Sequence, residues 1–304
     1  TEGDEYDSAF FDKGPKFLHY RPDSSILTGI EFDHVDIFKD LDQIKDAFRK
    51  YVDLIRPEGV ILVKYGDTNI QDVLGEAVCR VETYGYLDGA DWRIGDYRFE
   101  GGYGCFSLSY QGGKKADFQL AMIGRHNVEN ATAVAALCIG LGLTADEINS
   151  AFKSFQGIKR RQEVVGVTNG VTVLDDFAHH PTAIRSTLEA VKEAYPGQRL
   201  WAVFEPRSAT SKRKVFEQDF PDSFLAADRV VFAGLFAPEK IKEEDRLDPE
   251  RVVGLIRQKG GNANFIAEVD DIVAFIAENA ENGDVVLVMS SGGFGGIHQK
   301  ILDR

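Results

Sequence analysis

The chain has 304 residues, 43% of them hydrophobic and 28% charged, which is enough apolar material for two separate cores in a globular protein. A formal net charge of −14 argues against a nucleic-acid partner, and the longest apolar run, residues 134–143, is too short and too glycine-rich to cross a membrane. A small anionic substrate stays open, because a few local Arg, Lys or metal ions reverse the field inside a cleft. Cys79, Cys105 and Cys138 are far apart and form no CxxC pair, so they read as reduced thiols of a cytoplasmic protein. No signal peptide is visible. The chain opens on TEGDEYD without Met and reads as part of a longer polypeptide.

Residues 24–30 (SSILTGI) form a short apolar strand. Over residues 40–55, Leu41, Ile44, Phe48, Tyr51, Val52 and Ile55 share one helical face, and Pro57-Glu58-Gly59 stops that helix. The strand GVILVKY, the short helix NIQDVLGEA and the strand VCRVETYGY follow. This β–α–β order predicts a parallel sheet covered by helices. Residues 91–120 alternate polar and apolar residues between glycine turns and read as an antiparallel meander or small barrel added to that sheet. A helix rich in small residues begins at Asn127, and a second opens on the capping box Thr144-x-x-Glu147.

The texture changes near residues 156–158. A hairpin with Asn169-Gly170 as its two-residue turn leads into a helix started by Pro181. Strands RLWAVFEP, DRVVFAGL, NANFIAE and DVVLVMSSGG then alternate with helices DPERVVGLIRQKG and DDIVAFIAENA. This is a second α/β domain with a mostly parallel sheet.

Seven stretches carry candidate chemistry. In LDDFAHHPT, Asp176 to His180 lie at the carboxyl end of a strand, where open α/β sheets bind ligands, although Asp and His also cap helices. Adjacent histidines point different ways, which favours a nucleotide contact over a zinc site. In GIEFDHVDIF, carboxylates and His34 follow a strand and suit Mg²⁺ beside phosphates; solvated acids are the plain alternative. TEGDEYD has the same acidic character. Asn127 and Asn130 share one face of a helix start, and their carboxamides suit the edge of an adenine. An arginine of GIKRRQE, at the domain boundary, suits a bidentate phosphate clamp; a solvated basic linker is the plain alternative. The basic run EPRSATSKRK and the glycine-rich SSGGFGGIH are the remaining two. No G-x-x-x-x-G-K-[ST] loop occurs, and Gly112-Gly113-Lys114 reads as a hairpin tip.

In order, TEGDEYD, a strand ending in DH, GRHNVENATA, KRRQE and DDFAHHPT resemble the Mur ligases, ATP-dependent carboxylate–amine ligases of peptidoglycan metabolism. EGDEYDSAFFD, FEPRSATSK and SSGGFGGIH are similar to the branch that recycles murein tripeptide. The resemblance implies an α/β fold in two parts: residues 1–157 as the later part of the central ATP-binding domain, with a parallel sheet and a small antiparallel sheet, and residues 158–304 as the Rossmann-like C-terminal domain. The family's UDP-sugar domain and phosphate-binding loop have no counterpart here.

The implied cofactors are ATP and Mg²⁺. Glu2 and His34 would ligate the metal and, with Arg161, form the catalytic set. Asn127 and Asn130 would meet adenine, Arg161 the γ-phosphate, and Asp176 the ribose, with His179 beside the nucleotide. Arg207, Ser208, Ser291, Gly292 and Gly293 would hold the peptide. The implied small-molecule substrates are UDP-N-acetylmuramate and the tripeptide L-Ala-γ-D-Glu-meso-diaminopimelate, or free L-alanine in the biosynthetic variant. A truncated piece that binds without turnover is the other alternative. The family's carbamylated lysine has Arg49 as its nearest counterpart, so that modification is not carried over.

Overall fold

The computed structural model describes residues 1–9, 12–75 and 77–304, which divide into two compact units, Thr1–Phe155 and Gln156–Arg304. The first unit opens with a small antiparallel pair, β1 (Asp7–Ala9) and β2 (Asp12–Pro15). The acidic start of the chain is thus partly ordered: Lys16 N donates to Tyr6 O at 3.2 Å and Phe17 N to Asp4 O at 3.4 Å.

Then come β3 (Ser24–Leu27), α1 (Leu41–Val52), β4 (Val60–Lys64), α2 (Thr68–Leu74), β5 (Arg80–Gly85), β6 (Trp92–Glu100), β7 (Tyr103–Tyr110), β8 (Gly113–Leu120), α3 (Arg125–Gly140) and α4 (Ala145–Ser154). The strands form one six-stranded sheet in sequence order, parallel from β3 to β6 and antiparallel from β6 to β8. The meander therefore extends the parallel sheet and does not close into a barrel.

Strand β4 shows why both faces need cover. Ile61 and Val63 point to one core with Phe17, Ile44, Phe48 and Ile70, while Leu62 points to the other with Trp92, Phe106, Phe118 and Val128. Period-two alternation buries every second residue on opposite faces. Helix α3 presents Ala131, Ala133, Ala135 and Ala136 to the sheet, and their small side chains let the helix lie close. The capping box at Thr144 and Glu147 is present.

The second unit comprises β9 (Glu163–Thr168), β10 (Val171–Asp176), α5 (Pro181–Ala194), β11 (Leu200–Phe204), α6 (Phe220–Ser223), β12 (Arg229–Phe232), α7 (Pro249–Gln258), β13 (Ala263–Phe265), α8 (Val269–Asn279), β14 (Val285–Met289) and α9 (Ile297–Leu302). Its sheet order is β13-β12-β11-β14-β10-β9; β9 is antiparallel and the other five are parallel. Asn169 and Gly170 turn the β9–β10 hairpin with φ of 49° and 76°, the left-handed pair that matches strand twist.

Each face of this sheet has its own filling. Phe204, Phe220, Phe224 and Phe232 stack with centroids 5.1–6.3 Å apart. On the other face Trp201 is fully buried, and its indole donates to Asp284 Oδ2 at 2.8 Å. Burial of each such ring is worth roughly 1.5–3 kcal/mol. The chain leaves β10 for β11 and returns through β14, which inserts between them. The carboxyl ends of β10, β14 and β11 thus surround a switch point, the place where this architecture leaves a crevice.

Candidate functional site

In the first unit, the segment after β3 carries His34, whose left-handed backbone (φ 54°) is fixed by Ile37 N and Phe38 N donating to its carbonyl at 2.8 and 2.9 Å. Its Nε2 lies 3.2 Å from Glu5 Oε1, and the Tyr6 ring packs edge-on at 5.0 Å with its hydroxyl bonded to Asp36. One ligand atom each from Asp4, Glu5 and His34 falls within a 4.8 Å group. Burial opposes a charge on His34, yet hydrogen bonding to Glu5 and the fields of Asp33, Glu5 and Asp4 prevail, and its pKa is raised.

Two carboxylates and an imidazole suit Mg²⁺, which takes a few protein ligands and completes its shell with water or phosphate. The carboxylates beside His34 are those of Asp4 and Glu5, whereas the expected Glu2 is exposed and outside this group. The reason is local: the bonds from Lys16 and Phe17 anchor residues 4–6 and leave residues 1–3 beyond them.

At the start of α3, Asn127 Nδ2 donates to Ile123 O at 2.8 Å, so part of that amide braces its own helix, while Asn130 is exposed. The Arg125 guanidinium lies over Tyr86 and Tyr97, 5.1 and 5.0 Å from their centroids. No sequence argument had singled out these tyrosines. Polar–apolar alternation marks them only as strand residues.

In the second unit three strand ends meet at the switch point. Asp176 closes β10 but is only 1% exposed. Its Oδ1 accepts from Ala178 N at 2.7 Å and its Oδ2 from Gln162 N at 2.9 Å. Asp176 thus braces both the turn that leads to α5, through Ala178, and the segment before β9, through Gln162. Desolvation outweighs these bonds and raises its pKa. His180 is the N-cap of α5, accepting from Thr182 N at 3.3 Å, and its ring packs on Phe216. His179 sits half-buried beside the Phe177 ring, with Nδ1 3.0 Å from Phe177 O.

Phe177 is flanked by two guanidiniums, Arg160 at 5.0 Å and Arg161 at 5.4 Å from its centroid. They do different things. Arg161 is exposed, and its charge is available to an anion. Arg160, not singled out by the sequence, donates to Ser290 O at 2.5 Å and Gly292 O at 2.8 Å and lies 3.4 Å from Asp175 Oδ2, so it ties the loop after β14 to the end of β10. His298 Nε2 is 3.2 Å from Asp175 Oδ1, yet misaligned for a hydrogen bond, so both buried atoms lack one.

Ser290 Oγ donates to Glu205 Oε2 at 2.6 Å, and Gly292 N donates to Ser290 Oγ. Arg207 reaches back to Glu205 (3.5 Å) and lies 3.5 Å over the Phe236 ring. A Cβ at Gly292 would meet Arg207 Nε at 1.8 Å, so any side chain there would displace the guanidinium. Arg207 and Gly292 are therefore neighbours. Ser208 is held in a staple with Ser211 (Oγ to Oγ 2.9 Å), while Ser291 is half-buried and Gly293 exposed.

Two family models match the chain: "Mur ligase middle domain" over residues 12–138 and "Mur ligase, glutamate ligase domain" over residues 160–292. Among curated relatives, the chain is 36% identical to the UDP-N-acetylmuramate–L-alanyl-gamma-D-glutamyl-meso-2,6-diaminoheptandioate ligase of Escherichia coli, with 99% of this chain and 64% of that protein covered. It is 34% identical to the UDP-N-acetylmuramate–L-alanine ligase of Caldanaerobacter subterraneus over 100% of this chain and 64% of that protein. The chain thus spans 64% of the length of either relative.

A crystal structure of a murein peptide ligase from Psychrobacter arcticus matches with TM-score 0.68 and 34% identity, covering 99% of this chain and 61% of that one. The UDP-N-acetylmuramate-alanine ligase of Thermotoga maritima shares the fold, with TM-score 0.75 at 20% identity, over 96% of this chain and 64% of that one.

Proposed function

Because the chain belongs to the Mur ligase family and carries that family's middle and C-terminal domains, we propose that it forms the nucleotide- and amine-handling part of an ATP-dependent carboxylate–amine ligase. The observation that carries this reading is the presence of both domains, in order, on one chain, with an acid–imidazole group in the first and a topological switch point in the second. The acceptor is UDP-N-acetylmuramate, and the incoming amine is that of the tripeptide L-Ala-γ-D-Glu-meso-diaminopimelate. Free L-alanine is the second reading, favoured by full-length relatives of that name at similar identity.

In this chemistry the γ-phosphoryl of ATP passes to a carboxylate oxygen as ADP leaves; the amine nitrogen then attacks the acyl carbon, phosphate departs and the amine gives up a proton. The residues here divide the remaining work. Asp4, Glu5 and His34 would hold Mg²⁺, which neutralises phosphate charge; Glu2, though exposed, is near in sequence and stays a candidate ligand. Asn127 and Asn130 would face adenine, with Arg125 and the two tyrosines beside them. Arg161, exposed beside Phe177, would meet phosphate, with His179 near it. Arg207, Ser208 and the Ser291-Gly292-Gly293 loop would receive the amine substrate. Asp176 is the brace on which the Arg161 and His179 segments rest.

The test is ADP release by the gene product that carries this chain. ADP formed only when Mg²⁺, UDP-N-acetylmuramate and an amine are all present supports the ligase. ADP formed without either organic substrate, or none with all of them, overturns it.

A further inference from the structure

Three loops of the second unit are fastened together beside Arg207. Phe236 N donates to Pro206 O at 3.1 Å, Leu247 N donates to Lys212 O at 2.9 Å, and Arg213 bridges to Arg246. This framework gathers four cations, Arg207, Lys212, Arg213 and Lys240, in a chain of net charge −14. Their carboxylate neighbours are three. Glu205 is engaged by Ser290 and Arg207, and Asp245 lies 3.6 Å from Arg213. Glu239 acts on Lys212 only at longer range.

Lys212 is the anomaly. It is 7% exposed, and among the described residues its ammonium has no hydrogen-bond or ion-pair partner. Its Nζ lies 5.9 Å from the centroid of the same Phe236 ring that Arg207 covers at 3.5 Å. Arg213 Nε is also buried without a partner. Lys212 packs its stem under cover while its unpaired ammonium keeps contact with solvent, where an arriving anion can pair with it. Consistently, burial and the fields of Lys240, Arg207 and Arg213 lower the Lys212 pKa, against the opposing pull of Glu239.

A single carboxylate would be met by Arg207 alone. Lys212 adds a second, separate positive point a short way along the same ring, which calls for a ligand with more than one carboxylate and apolar methylenes to lie on Phe236. We propose that Lys212 and Arg207, across Phe236, form a carboxylate-receiving subsite that selects a multiply carboxylated peptide over a free amino acid. This rests on the reading of the second unit as the amine-substrate domain and names the residue that makes the peptide choice.

The test is calorimetric titration of the chain and its Lys212→Met and Lys212→Arg variants with the tripeptide, with L-alanine and with inorganic phosphate, alongside thermal unfolding. The expected result is preference for the tripeptide in the unaltered chain. Lys212→Met should then weaken its binding about tenfold or more, with recovery in Lys212→Arg. The Lys212→Met midpoint should be no lower than that of the unaltered chain, because Met keeps the covered apolar stem and no hydrogen bond or ion pair of the ammonium is lost. Tripeptide binding unchanged in Lys212→Met overturns the subsite while leaving the ligase reading in place. So does a Lys212→Met chain that binds less because it has lost stability. Equal binding of tripeptide and L-alanine by the unaltered chain removes the peptide reading and the subsite together. Phosphate binding tighter than peptide, and dependent on Lys212, overturns the peptide subsite and reassigns these cations to phosphate.

Discussion

Replacing Asp176 by Asn separates a structural brace from a ribose ligand. The carboxylate holds two buried backbone N–H groups, those of Ala178 and Gln162. Asparagine keeps one oxygen and turns an amide N–H₂ toward the other donor, so one charge-assisted bond is lost and one buried N–H is left unmatched. That costs roughly 1.5–3 kcal/mol. Part is returned because burial penalises the charge that Asn removes. The net loss is about 1–2 kcal/mol, which lowers the midpoint of a unit of about 150 residues by about 2–8 °C.

The assay is thermal unfolding by calorimetry with and without a non-hydrolysable ATP analogue. The brace predicts a lower midpoint for the second unit with nucleotide affinity reduced no more than stability explains. An unchanged midpoint with nucleotide binding abolished would refute the reasoning and restore Asp176 as a ribose contact. The sign with pH is also fixed. Its folded pKa is raised, so the folded state keeps its proton longer, and this group's contribution to stability falls as pH rises through the window between the unfolded and folded values.

Two further outcomes are expected. Asp284 gathers Arg199, the Trp201 indole and Glu281 N. Burial would raise its pKa, but these partners outweigh burial and hold it below the usual carboxylate range. Its contribution is therefore present above the unfolded pKa and lost as pH falls through the folded one; Asp284→Asn should cost about 2–4 kcal/mol at neutral pH and flatten the acid limb of urea unfolding followed by tryptophan fluorescence. Glu5→Gln should weaken Mg²⁺ binding by calorimetry about tenfold or more, and Glu2→Gln should change it less; the reverse order would move the metal site back to Glu2.

Much of the fold was readable because periodicity and turn chemistry are local. The Asn169-Gly170 turn, the capping box at Thr144 and the all-apolar strands β11 and β14 each announce themselves within a few residues. The β1–β2 pair was hidden because its acids resemble a solvated end, and only its bonds to Lys16 and Phe17 reveal the order. The site was legible by residue type more than by role. Asp175 and Asp176 are adjacent and chemically alike, yet strand alternation buries one against backbone amides and leaves the other toward Arg160 and His298. Arg160 and Arg161 divide in the same way, one pinning the loop after β14 and the other exposed. Lys212 differs from its basic neighbours only through its low exposure and its place beside Phe236, neither of which residue type discloses.

The most direct test of the ligase account is product analysis with the gene product that carries this chain, supplied with ATP, Mg²⁺, UDP-N-acetylmuramate and an equimolar mixture of tripeptide and L-alanine. The account predicts one ADP per amide formed, and a mass spectrum dominated by the UDP-N-acetylmuramyl tripeptide. A spectrum dominated by the L-alanine adduct would contradict the peptide assignment, and ATP consumed with no new amide would contradict the ligase itself.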